Sequence, residues 1–248
     1  MDVWSPAQYA QFQAERSKPF WDLAGLIDFA GTGRLLDVGC GTGQLTRDLH
    51  EQQKIPFSLG IDASPAMLAE AAKLAEEGLY FSQTTVEKFS TEQPFDVVIS
   101  NAALQWVGGH RSLFPRILTW LRPGGQLAVQ MPANFDHPSH VLAEEFGARF
   151  GLNVRKSPVM PMEEYAQTLL DCGATDVNVF TKLYLHPMPS SAGVVEWVKG
   201  TLLTHYEKQM DPARYGEFLR DYSSELIDRL GDGPYLYTFK RLFVYARV

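Results

Sequence analysis

Leu35-Leu36-Asp37-Val38-Gly39-Cys40-Gly41-Thr42-Gly43 reads as a short apolar strand running into three glycines at alternate positions. The residues that follow, 42–52, carry Leu45 and Leu49 four apart, the spacing of one helix face. Strand, glycine turn and helix in that order make a place where a ligand can lie against the main chain. Residues without side chains let it approach, and the helix N-terminus offers free N–H groups and partial positive charge. The same stretch can also close a tight turn with no ligand, so its neighbours decide.

The next apolar run, 57–61, is closed by Asp62 in Gly60-Ile61-Asp62-Ala63-Ser64. That acid lies about 20 residues beyond the glycines, the usual distance for one that takes a ribose hydroxyl pair. A nicotinamide dinucleotide is the first rival. Its fingerprint is GxGxxG, whereas here the third glycine, Gly43, comes one residue early. Asp37 at the strand end also suits a cofactor with a positive amino group better than one with a pyrophosphate. An amino acid, a ribose and an adenine fit the set.

Strand and helix signals alternate outward from this point. Residues 6–30 predict one or two helices, interrupted at Pro19. Ser64 as N-cap and Pro65 at the first helical position open a helix expected to run to 77. Strands are expected at 79–83 and 95–100, the second almost wholly apolar as a strand buried on both faces should be. A helix over 110–121 and the turn Pro123-Gly124-Gly125 lead into a fifth strand, 126–131. Such alternation means a parallel sheet with crossovers, an α/β fold. Beyond 132, helices are expected near 138–149, 161–171, 191–204 and 211–230, and strands at 177–184 and 240–247. Two late strands around a helical segment suggest a hairpin-like sheet edge plus a cap. The whole chain, 1–248, then reads as a single domain: an N-terminal helical lid (1–30), a cofactor-binding core (31–132) and a sheet edge with a helical cap on the acceptor side (133–248).

Composition excludes several classes. Hydrophobic residues at 45% and charged residues at 21% argue against long disorder. A net charge of −7 is a poor start for gripping a phosphate backbone, so no nucleic-acid partner is expected. The two cysteines, Cys40 and Cys172, are too few for a disulfide framework and lack the paired spacing of a zinc site, so no metal is expected and the compartment reads as reducing. No signal peptide is visible, and no apolar run approaches the ~18 residues of a membrane span. The expectation is a cytoplasmic protein without a membrane partner, a monomer or a weak dimer.

With these residues in view, the sequence resembles the class I S-adenosylmethionine-dependent methyltransferases. Asp37 to Gly43 is similar to their first motif and Asp62 to their ribose-binding acid. Phe95-Asp96-Val97-Val98-Ile99-Ser100-Asn101 is similar to their fourth strand, and Leu121-Arg122-Pro123-Gly124-Gly125 to the turn before the fifth. The resemblance implies a Rossmann-like sheet, mostly parallel and seven-stranded with one antiparallel strand, helices on both faces and a helical cap. It implies S-adenosylmethionine as cofactor, with S-adenosylhomocysteine as product. It puts Gly39 and Gly41 at the methionine part, with Cys40 a small filler in the same cofactor-binding loop, Asp37 at the ammonium, Asp62 on the ribose, and Ala63 and Met67 near the adenosine. Thr85 and Val86 take the adenine edge, and Asn101 and Ala102 close the site. One departure stands out: family members often place an acid after strand three for the adenine amino group, and this chain has Thr85.

A narrower resemblance covers nearly the whole chain. Trp4-Ser5-Pro6, Tyr9, Phe12, Glu15-Arg16 and Lys18-Pro19 are similar to the opening of the trans-aconitate methyltransferases. So are Asn101-Ala102-Ala103-Leu104-Gln105-Trp106, His186-Pro187-Met188-Pro189-Ser190, Glu196-Trp197-Val198-Lys199-Gly200-Thr201 and Arg241-Leu242-Phe243-Val244. That family esterifies a carboxylate of a small tricarboxylic acid. By this resemblance Arg16 and Trp106 position the acid, without a general base, and Tyr9, Gln105, His186, Trp197 and Arg241 bind it. The alternative is methyl transfer to another small acid, an acyl-carrier-bound acid or a quinone precursor.

Overall fold

The computed structural model describes residues 13–154 and 156–248, with side chains from Ser17 onward. Seven strands form one sheet: β1 (Arg34–Val38), β2 (Phe57–Asp62), β3 (Leu79–Gln83), β4 (Phe95–Asn101), β5 (Leu121–Pro132), β6 (Thr175–Met188) and β7 (Tyr235–Arg247), in the order β3-β2-β1-β4-β5-β7-β6. Pairs β3/β2, β2/β1, β1/β4 and β4/β5 are parallel, and β7 runs antiparallel to β5. The strand order reverses between β1 and β4. In an open α/β sheet that reversal leaves a crevice at the carboxyl ends of the strands, where ligands bind.

Among the described residues the helices are α1 (Gln13–Ala24), α2 (Gln44–Gln53), α3 (Pro65–Ala71), α4 (His110–Leu118), α5 (Pro138–Arg149), α6 (Met162–Asp171), α7 (Ala192–Lys199), α8 (Thr204–Glu207) and α9 (Pro212–Leu230). The first difference from expectation is at Pro19, which lies inside α1 without ending it. An interior proline costs about 3 kcal/mol. Phe20, Leu23 and Ala24 are buried, and α1 packs on β4 and β5. Each large side chain contributes about 1.5–3 kcal/mol, which outweighs the loss.

Helix α3 stops at Ala71 and passes into a short 3-10 turn, Ala72–Leu74, well before 77. The chain must already turn back there: Glu76 and Leu79 bridge antiparallel, with Gly78 in the left-handed region. The helix expected over 191–204 is split into α7 and α8 at Gly200, a residue that stabilises no helix interior. Strands β5, β6 and β7 begin earlier than their apolar patterns suggest: Pro123-Gly124-Gly125, expected as a turn, lies within β5, and the helix expected over 110–121 ends at Leu118 to make room for it.

The chain divides into two compact units. The first takes in everything up to Pro132, together with Pro158–Lys182 and Arg241–Val248. Its core is the buried stripe of the central strands, Leu35, Leu36, Val97, Val98, Leu127 and Val129. The second, Ala133–Ser157 and Leu183–Lys240, has a core of its own, in which Phe146, Tyr206, Phe218 and Tyr222 pack with Val194 and Val198. Among the described residues no helix is long and apolar enough to cross a membrane.

Candidate active site

The loop after β1 is shaped by two glycines. Gly39 has φ +79°, and a Cβ there would run into the Ala103 methyl group, so no other residue fits. Gly41 has φ +58°, and a Cβ there would meet nothing within 4 Å: the space above the loop is open. The Gly39 and Cys40 N–H groups both donate to Ile61 O (2.8 and 3.0 Å), which pins the loop to β2. Asp62, at the end of β2, accepts from Gly41 N through Oδ2 (2.9 Å) and from Ser64 N through Oδ1 (2.8 Å). An ionised carboxylate has about four acceptor sites, so two remain for ligand hydroxyls.

Asp37 is buried at the end of β1 and its Oδ2 accepts from the Thr46 hydroxyl at 2.6 Å. Burial raises its carboxyl to about 7; Thr46 pulls it down and Asp62 pushes it up. The site therefore holds an acid short of positive partners. Cys40 lies over the same loop, where burial and the two acids drive its thiol up, so it stays protonated and packs as a small apolar group.

At the end of β4, Ala102 adopts φ +53°, an unusual conformation for a residue with a side chain. It is held by its own N–H donating to Gln130 O (2.9 Å) and by Gln105 Nε2 donating to its carbonyl (2.7 Å). The amide of Gln105 thereby presents its oxygen, Oε1, which is buried and has no partner among the described residues; the same holds for Asn101 Oδ1. Gln105 lies in the 3-10 turn Leu104–Trp106, where Trp106 is 44% exposed. That turn is tied down by His110: Nε2 meets Leu104 O at 3.0 Å while Nδ1 meets the Tyr165 hydroxyl on α6. Burial lowers the His110 pKa, which keeps the ring neutral.

Strand register orders these groups. Successive residues in a strand alternate faces, and paired residues on neighbouring strands share one. Asp37 pairs with Gly60 and Ile99. Asp62 follows Gly60 by two and Asn101 follows Ile99 by two; Asn101 pairs with Gln130, and Pro132, two further on, pairs with Arg241. One face of the sheet thus carries Asp62, Asp37, Asn101, Gln130 and Arg241 in spatial order. The row runs from two carboxylates through two neutral amides to a buried guanidinium. An ammonium-bearing nucleoside fits the acidic end, because Asp37 and the orphaned oxygens of Asn101 and Gln105 all await donors. An anion fits the other end.

The remaining expected site residues are distributed as follows. Ala63 and Met67 flank Ser64, whose hydroxyl caps α3 by accepting from Met67 N (3.2 Å). Thr85 and Val86 lie in the loop after β3, Val86 buried and Thr85 half-buried. Arg116 on α4 clasps that loop, donating to Glu87 O and Phe89 O, both at 2.6 Å. In the second unit, His186 and Trp197 pack ring to ring at 4.7 Å, and Trp197 also meets Tyr237 and Phe239. Tyr9 lies outside the described residues; Arg16 is on α1, and its side chain lies outside them too.

Sequence reasoning passed over Thr46, Arg116 and Gln130. Thr46 and Gln130 did leave a signal, Thr46 as the one polar residue at a buried position of its helix and Gln130 as a polar residue between apolar neighbours of a buried strand. Arg116 left none, since its partners are main-chain carbonyls. Among the described residues no group of three or more His, Cys, Asp or Glu side chains is placed to hold a metal ion.

A family model described as a methyltransferase domain matches residues 35–125. The solved structure of the YcgJ protein of Bacillus subtilis superposes with a TM-score of 0.58 over 87% of this chain and 91% of its own, at 16% identity. An S-adenosylmethionine-dependent methyltransferase of Mesorhizobium loti does so with a TM-score of 0.55 over 92% and 96%, at 19% identity. At such identities the likeness speaks for the fold. Sequence relatives say more. The trans-aconitate 2-methyltransferase of Deinococcus radiodurans is 40% identical over 99% of this chain and 98% of its own length. That of Methylobacterium nodulans is 37% identical over 100% and 99%. Both matches run from end to end of the two chains, and on that ground the chain belongs to the trans-aconitate 2-methyltransferase family.

Proposed function

We propose that this protein transfers a methyl group from S-adenosylmethionine to a carboxylate oxygen of trans-aconitate, giving a monomethyl ester. The observation that carries the reading is the charge order of the sheet face, acids at the β1–β2 end and Arg241 at the β7 end. The full-length kinship with trans-aconitate 2-methyltransferases supports it independently.

When bound, S-adenosylmethionine supplies an electrophilic methyl group on a sulfonium. The chain's task is to hold the cofactor and a polyanion in line. Asp62 takes the ribose hydroxyls, Asp37 and Asn101 take the ammonium, and Gly39 and Gly41 let the ligand lie on the main chain. Ala63, Met67, Thr85 and Val86 border the adenosine. Gln105 Oε1 is an acceptor, so it serves the ammonium side and offers nothing to an ionised carboxylate.

No side chain has to remove a proton, because a carboxylic acid with a pKa of about 4 is already ionised at pH 7. Alignment of the reacting atoms alone can be worth roughly 7–11 kcal/mol. Arg241 supplies positive charge to the acid's carboxylates, and Trp106, in the turn that follows β4, gives its indole N–H to one of them. Arg16 joins them on the evidence of sequence.

The test is incubation with S-adenosylmethionine and a panel of aconitate isomers, citrate, isocitrate and fatty acids, read by mass spectrometry. A gain of one methylene on trans-aconitate is expected. Turnover of lipophilic acids with none of any polycarboxylate overturns the reading.

A further inference from the structure

Gln130 is fully buried in an otherwise apolar run of β5. Its Oε1 accepts from Arg241 Nη1 at 3.2 Å. A guanidinium carries donors only, so this contact decides which end of the carboxamide is oxygen. The other end, Nε2, is buried and has no hydrogen-bond partner among the described residues. A buried donor left unmade costs about 1–3 kcal/mol, and native interiors rarely keep one without a use. The orphan is thus a donor held in a fixed direction beside a cation.

Its neighbours narrow what it takes. Asn101, paired with it across the ladder, presents an orphaned oxygen. The sense of the unmet bonds therefore changes between β4 and β5, from acceptors that want a cation to a donor that wants an oxygen. A carbonyl or ether oxygen would satisfy Nε2, but only a carboxylate also gains from the guanidinium next to it. Gln130 stands two strand spacings from β1, about 10 Å from the cofactor loop. A group bound there is remote from the reacting methyl.

We infer that Gln130 binds the acceptor directly, donating Nε2–H to a carboxylate that is not the one methylated, with Arg241 fixing the amide and supplying charge. The inference rests on the acceptor's being a polycarboxylate. It adds a specificity residue: an acid without the second carboxylate leaves Nε2 unmet.

The experiment compares wild type with Gln130→Glu and Gln130→Met. Gln130→Glu keeps shape and can pair with Arg241, and thermal unfolding checks that both variants are folded. Initial rates give kcat and KM for trans-aconitate; calorimetry gives the Kd for S-adenosylhomocysteine; competitive inhibition is measured with the monoamides of trans-aconitate. KM should rise tenfold or more in Gln130→Glu and several-fold in Gln130→Met, with the S-adenosylhomocysteine Kd within twofold of wild type. One monoamide should bind Gln130→Glu better than the triacid does, because its N–H groups can donate to the new carboxylate. A merely structural glutamine would not produce that reversal. Unchanged KM in both folded variants, or an S-adenosylhomocysteine Kd that rises in step with KM, overturns the inference while wild-type turnover of trans-aconitate still stands. A wild type that methylates no polycarboxylate removes the functional reading and this inference together.

Discussion

Asp37 has to be ionised to hold an ammonium, yet burial raises its carboxyl to about 7. Cofactor binding must then release a proton below that pH. The affinity for S-adenosylhomocysteine should fall close to tenfold per pH unit below 7 and level off above it. Calorimetry across pH 5.5–8.5, in buffers of different ionisation heat, reads both the slope and the proton. Asp37→Asn should bind weakly at every pH with the slope gone. Thr46→Val removes the hydrogen bond that pulls Asp37 down, and should move the break to higher pH. A flat profile in wild type would remove Asp37 from the ammonium. Gly39 answers to sterics instead: Gly39→Ala meets the Ala103 methyl at φ +79°. A left-handed residue costs about 1–2 kcal/mol before any clash. A lower Tm together with lost cofactor binding is expected, and a Tm equal to wild type would show that the loop can move aside.

Elements matter here mostly as carriers of loops. The segment after β3, with Thr85 and Val86, has Arg116 on α4 as its clasp. Lysine is a single point charge and cannot reproduce a two-pronged grip. Arg116→Lys should therefore weaken S-adenosylhomocysteine binding several-fold and leave the acceptor's KM alone; the reverse split in a calorimetric and kinetic comparison would place the loop on the acceptor side. On the other flank, His110 couples α6 to the turn that bears Gln105 and Trp106. Tyr165→Phe deletes only the hydroxyl. It should cost about 1–3 kcal/mol, as a broken buried hydrogen bond does. It should also raise the acceptor's KM more than the cofactor's Kd. Equal shifts in both would reduce the pair to a fold contact.

At the scale of the molecule, buried histidines oppose a buried acid. His110, His137 and His140 are all lowered from 6.5 by burial, His140 to about 4. An unfolded chain binds more protons than the folded one in that window, so their share of stability is present above 6.5 and lost as pH falls. Asp37 has the opposite sign. Its folded pKa is raised from 3.8 to about 7, so its share is present at low pH and lost as pH rises through that interval. The histidines outnumber it. Urea midpoints of the cofactor-free protein should climb from pH 4.5 to 6.5, and climb more steeply in Asp37→Asn. Midpoints independent of pH would show that the histidines are not held neutral.

What the sequence by itself determined was local. Alternating glycines after an apolar strand, an acid at the end of the next strand, and proline after a capping serine each constrain a few adjacent residues, and those constraints act before the chain folds. They were enough for β1 to β4, for the cofactor loop and for the helices over 138–149 and 211–230; β5 was placed, but its start was not. Other features needed the tertiary structure, because they depend on residues far apart in sequence. Pro19 was kept inside a helix by burial against β4 and β5. The lengths of β6 and β7 followed from their neighbours in the sheet more than from their own apolar patterns. Most of all, pairing across β1, β4, β5 and β7 set Asp37, Asn101, Gln130 and Arg241 in one row. Nothing along the chain announces that row, since strand register is fixed by hydrogen bonds between segments and a shift of one residue would turn each of those side chains to the opposite face.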